Sequence, residues 1–108
     1  MREAAGAAEE MLKALASRHR LMILCQLIEG ERSVGELAEF LELRPSTVSQ
    51  HLALLRKDDL VATRREGQTI WYSLASAPVR RVVETLYDIY CGPQSTCKPA
   101  TPARSRRK

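Results

Sequence analysis

Apolar positions recur at helical spacing along most of the chain and change to a strand-like pattern once, between residues 60 and 74. Arg2 to Ala16 is rich in Ala, Glu, Lys and Leu, all strong helix formers, with Met11, Leu12 and Leu15 as a modest apolar stripe. Ser17 is placed to cap a second helix over about His19 to Glu29, with Gly30 at its end. Leu21, Leu24, Cys25 and Ile28 fall on one face of it, and Met22, Ile23 and Leu27 widen that face, so the spacing predicts a nearly buried helix. Ser33, followed three residues on by Glu36, has the form of a capping box and opens a third helix with Val34, Leu37, Ala38 and Leu41 inward. Leu43-Arg44-Pro45 breaks it. Pro45 is the first-turn proline of a fourth helix, where Ser46 or Thr47 can satisfy the free N–H groups. That helix turns Val48, Leu52 and Leu55 inward and ends near Lys57.

Leu60 to Arg65 and Thr69 to Leu74 are rich in β-branched and aromatic residues, and Glu66-Gly67-Gln68 joins them as a hairpin. Ser76 caps a last helix from about Pro78 to Cys91. Its Val79, Val82, Val83, Leu86, Tyr87, Ile89 and Tyr90 occupy two faces, which predicts two partners: its own core and a second subunit. After Gly92-Pro93 all periodicity stops. The division is therefore one domain over residues 1–91 and a basic, disordered tail over residues 92–108.

Composition sharpens this. At 44% hydrophobic and 28% charged, the 108 residues have the balance of one folded domain. The net charge of +4 belongs to the tail: five of the seventeen cationic residues lie past Gly92 with no acid, leaving twelve against thirteen acids before it. Such a tail suits a polyanion, and equally a solubilising end. No apolar run approaches a membrane span and no apolar leader is visible, so no membrane partner is expected. Three widely spaced cysteines point to reduced thiols in a cytoplasmic protein. There is no Ser/His/Asp set, phosphate-cradling glycine loop or carboxylate pair in a predicted pocket, so no enzyme is expected.

Two short helices joined by a tight turn and followed by a hairpin are the parts of a winged helix-turn-helix, mainly α with a β-hairpin. The fourth helix opens with Ser46, Thr47, Ser49, Gln50 and His51, small polar groups suited to base edges in the major groove. The hairpin carries Arg64, Arg65 and Gln68, placed to reach phosphate or the minor groove. A capped surface helix beside a solvated hairpin would look similar.

These residues resemble a family. Arg20 to Leu24, Ser33 to Ala38, Ser46 to Arg56, Leu60-Val61 and the wing Arg65 to Leu74 together look like an ArsR/SmtB transcriptional repressor, over about residues 8 to 91. The resemblance implies a homodimer, built on the first and last helices, that binds an imperfect palindrome in double-stranded DNA and releases it on sensing a ligand. Two departures stand out: Asp58-Asp59 replaces the small residue and glycine usual before Leu-Val, and Gln68 replaces a common wing Arg or Lys. Both remove positive character.

The family's metal sites are not matched. Ser33-Val34-Gly35 stands where the third-helix site has Cys-Val-Cys, and no histidine follows His51 for the last-helix zinc site. No metal or cofactor is expected. The cysteines remain. The resemblance is closest to the sulfide- and persulfide-responsive branch, of SqrR and BigR type, whose two sensing cysteines end a Leu-x-x-x-Cys run in the second helix and the last helix. Cys25 and Cys91 occupy both places. The implied function is a repressor whose Cys25–Cys91 dithiol is bridged by a persulfide or polysulfide inducer, weakening operator binding. A bridge longer than a disulfide would let thiol separation select for sulfur over peroxide. Alternatives stay open: an As(III) or soft-metal sensor using Cys25, Cys91 and Cys97, a general thiol-oxidation sensor, two inert cysteines, or a winged helix used for protein contacts.

Overall fold

A computed structural model describes residues 2–91 of the chain; Cys97 and the basic tail lie outside the described residues. Five helices and three strands follow in the order α1 (Arg2–Leu15), α2 (Arg18–Ile28), β1 (Arg32–Ser33), α3 (Val34–Leu41), α4 (Pro45–Lys57), β2 (Val61–Glu66), β3 (Thr69–Leu74) and α5 (Ala77–Cys91). The fold is therefore mainly helical with a small antiparallel sheet, as the apolar pattern predicts.

Local chemistry accounts for most of the boundaries. Ser17 caps α2, its Oγ accepting from the Arg20 amide at 3.3 Å. Arg20 in turn donates from Nε to the Ala14 carbonyl at 2.7 Å, closing the end of α1 and fixing the α1–α2 elbow. The capping box of α3 forms in full: Ser33 Oγ accepts from the Glu36 amide and Glu36 Oε1 from the Ser33 amide, each at 3.2 Å. Helices α3 and α4 both end in Schellman-type turns. The Leu43 amide donates to the Ala38 carbonyl and the Leu60 amide to the Leu55 carbonyl, around Glu42 and Asp59 at φ of 56° and 61°. The start of α4 departs from expectation. Arg44 is its N-cap and no side chain bonds the free N–H groups, so neither Ser46 nor Thr47 caps it. The fixed φ of Pro45 starts the helix instead.

The core collects Leu15 of α1, Ile23, Leu24 and Leu27 of α2, Leu37 of α3, Val48, Leu52 and Leu55 of α4, Leu60 and Val61 before and in β2, and Val79 and Val83 of α5. The buried face of α2 is thus centred on Ile23, Leu24 and Leu27, with Leu21, Cys25 and Ile28 half-buried at its flank and Met22 exposed. Gln26 is buried as well, although polar. Helix α2 is central: it packs on α1, α3, α4, α5 and β3.

The hairpin turns at Gly67-Gln68, with Gly67 at φ +64°, a conformation open to glycine at no steric cost. Strand β1 is the element the apolar pattern does not show. It adds Arg32 and Ser33 to the free edge of β3, opposite Tyr72 and Trp71, so the sheet order is β1-β3-β2. Two residues are too few for a period-two signal. They are held by tertiary contacts: Arg32 pairs with Glu29 at 3.1 Å and lies over the Phe40 ring at 5.5 Å.

Candidate nucleic-acid interface and thiol pair

The turn between α3 and α4 sets the recognition surface. Val48, Leu52 and Leu55 seat α4 on the core, which rolls Ser46, Ser49 and Gln50 outward to the exposed side and leaves Thr47 half-buried. The first turn of α4 presents N–H groups with no side-chain cap, and the helix dipole adds positive potential there. Hydroxyl and amide side chains around such an end can donate to phosphate and read base edges.

His51 differs from its neighbours on α4. It is half-buried, its ring packed edge-on against His19 of α2 with centroids 5.6 Å apart. Its Nδ1 is buried without a hydrogen-bond partner. Desolvation, then the Arg20 and His19 charges, hold its imidazole below the ordinary value of 6.5. His51 thus couples α4 to α2 before it meets any ligand.

The wing arginines are separated by strand alternation. Arg65 stands opposite Ile70 and Arg64 opposite Trp71, on the other face. Arg64 is occupied: Nη2 and Nε donate to the two carboxylate oxygens of Glu31 at 2.7 and 3.0 Å, and Nη1 to Glu66 at 3.5 Å. Arg65 and Gln68 are exposed, and among the described residues Arg65 makes no ion pair. The sequence marks Arg64 as a cation at the right place but not the acid, thirty-three residues away, that pairs with it.

Cys25 and Cys91 lie on neighbouring helices, Cys25 on α2 and Cys91 as the last residue of α5, which packs against α2. Arg80 joins the same two helices, donating from Nη1 to the Ile28 carbonyl at 3.3 Å. No local signal in the sequence marks Arg80 for this bond. Both cysteines are half-buried. Cys25 is a free thiol, and burial pushes its pKa up, away from thiolate. Cys91 is disulfide-bonded, so the two are not joined to each other. Among the described residues no group of three His, Cys, Asp or Glu side chains could hold a metal ion, and no helix is long and apolar enough to cross a membrane.

With this geometry in place, comparison with known proteins is specific. Residues 17–63 match the model of the bacterial regulatory protein, arsR family. The chain is 53% identical over 81 residues to the transcriptional activator HlyU of Vibrio cholerae, covering 75% of each chain. It is 48% identical over 84 residues to a biofilm growth-associated repressor of Agrobacterium fabrum, covering 78% of this chain and 72% of that one. The structure of reduced HlyU from V. cholerae superposes with a TM-score of 0.82 at 49% identity, over 84% of this chain and 96% of that one.

Proposed function

The chain belongs to the ArsR family of bacterial regulatory proteins, DNA-binding transcriptional regulators and not enzymes, and from that premise we propose that it is a homodimeric repressor relieved by reactive sulfur species at Cys25 and Cys91. The observation that carries the sensory part is the placement of these two half-buried cysteines on packed neighbours, α2 and α5. Helix α2 also packs on α4, so strain between α2 and α5 has a direct route to the recognition helix. The repressor assignment follows the Agrobacterium relative; the Vibrio relative, named an activator, shows that family members differ in the sign of their output.

Ser46, Thr47, Ser49 and Gln50 read the major groove, and Arg65 and Gln68 contact the backbone from the wing. Leu12 of α1 and Ile89 of α5 are 60% and 63% exposed, the expected state of a dimer face.

The sensing chemistry balances without an added oxidant. Each cysteine, as thiolate, takes one sulfane sulfur from a low-molecular-weight persulfide and releases the parent thiolate. The two Cys–S–SH groups then condense to a Cys25–S–S–S–Cys91 bridge with loss of hydrogen sulfide. The raised pKa lowers the thiolate fraction of Cys25 and so slows its reaction with peroxide. Only the reduced protein can enter this sequence at Cys91. A general thiol-oxidation sensor, in which peroxide closes a Cys25–Cys91 disulfide, is the second reading.

The test is intact-mass spectrometry and peptide mapping of fully reduced protein after separate exposure to glutathione persulfide, peroxide and arsenite. It is paired with binding to a palindromic duplex that the protein itself recovers from a random pool. One sulfur gained and two hydrogens lost across Cys25 and Cys91, with at least a fivefold loss of DNA affinity, is the expected result. A two-hydrogen loss with peroxide that weakens binding equally would replace it with the oxidation reading. Arsenic retained through Cys97 would make the protein a metalloid sensor.

A further inference from the structure

The wing carries a feature that DNA contact does not call for. Glu31 lies in the link between α2 and β1, and Arg64 in the middle of β2, at the opposite edge of the sheet. Ser33, Trp71 and Arg64 are in register across the three strands, so their side chains share one face. The Arg64–Glu31 bridge therefore runs across the breadth of the sheet on the Trp71 side. It is bidentate, and Glu66 adds a second carboxylate. Most exposed ion pairs contribute little because two long side chains must be ordered to form one interaction. A planar fork on a carboxylate, joined to a second acid, is the geometry in which the interaction survives that cost.

Electrostatics at this point disfavour DNA. One guanidinium faces two carboxylates, a local net charge of −1, so an approaching phosphate meets repulsion at Arg64. Arg65, one residue on, points to the other face, and among the described residues no acid is paired to it.

The geometry points to Arg64 as a positioning residue and not a DNA contact: clamped by Glu31, it braces the wing at a fixed height beside α4, so that Arg65 reaches the phosphate. This rests on α4 and the hairpin being the DNA interface. The clamp itself is tested without DNA. Carboxylate-directed NMR and amide hydrogen exchange on the free protein should show Arg64→Gln and Glu31→Gln each speeding exchange in β2 and β3 near the turn, while Arg65→Gln does not. Unchanged exchange in both clamp variants would overturn the brace whatever happens with DNA.

The second arm measures affinity for the recovered palindromic duplex as a function of salt. Arg65→Gln should flatten the slope of log K against log salt by about 0.9 for each phosphate it no longer neutralises. Arg64→Gln and Glu31→Gln should each weaken binding by roughly 3- to 10-fold with the slope unchanged, and the double variant should lose no more than either single one. If Glu31→Gln instead tightens binding and steepens the slope, Arg64 is a phosphate ligand held in check by Glu31, and the brace is wrong. If no variant, Arg65→Gln included, changes the slope while exchange changes as expected, the brace stands and the wing is not part of the DNA interface.

Discussion

Asp59 holds the left-handed conformation that closes α4, with its own amide on the Arg56 carbonyl at 2.9 Å. Glycine adopts this conformation freely; an L-residue is pushed against its own carbonyl. Asp59 and Asp58 also place negative charge at the negative end of the helix dipole. The sequence flagged this pair as a departure from its family, where a glycine precedes Leu-Val, and the backbone shows why a glycine fits. Asp59→Gly should therefore stabilise the fold by about 0.5–1 kcal/mol, read as a rise of a few degrees in Tm. A fall in Tm would mean the aspartate makes up the strain through an interaction of its own. Arg64 teaches the opposite lesson at this scale. Its type and position are plain in the sequence, but its role depends on Glu31, and nothing local links the two.

Between elements, His51 of α4 packs edge-on against His19 of α2. The folded state holds His51 below 6.5, so between that value and the folded pKa the unfolded chain binds the proton more readily. Stability from the neutral ring is complete above pH 6.5 and declines as pH falls through the folded value. Protonation would place a cation beside Arg20 and against the His19 ring. Thermal unfolding followed from about pH 7 to pH 5 should lose Tm more steeply in the unaltered protein than in His51→Gln. Parallel curves would remove His51 as the cause. The helices and hairpin were legible because periodicity, the Ser33–Glu36 box, Pro45 and Gly67 are all local signals. Strand β1 was not, because a two-residue strand exists only through pairing with β3.

For the whole molecule, the proposed dimer rests on the exposed apolar residues of α1 and α5. Ile89 and Tyr90 contribute nothing to the core, so a charge at Ile89 leaves the monomer fold intact. Ile89→Glu should convert a dimer to monomer by sedimentation and cost at least tenfold in affinity for a palindrome, because two recognition helices about 34 Å apart are no longer linked. A variant that stays dimeric with full affinity would place the interface elsewhere.

The sequence alone determined the order of the five helices and the hairpin, the inward residues of α3 and α4, the winged helix-turn-helix class and the polar opening of α4, since all of these follow from spacing and capping within a few residues. It also named Cys25 and Cys91 as a pair worth testing. Only the tertiary structure decided which wing arginine is engaged, that His51 turns toward α2, that Arg80 ties α5 to α2, and that a third strand completes the sheet. Each of these depends on a partner far away in the chain, and a contact between distant residues is a property of the packed fold, not of any local window of sequence.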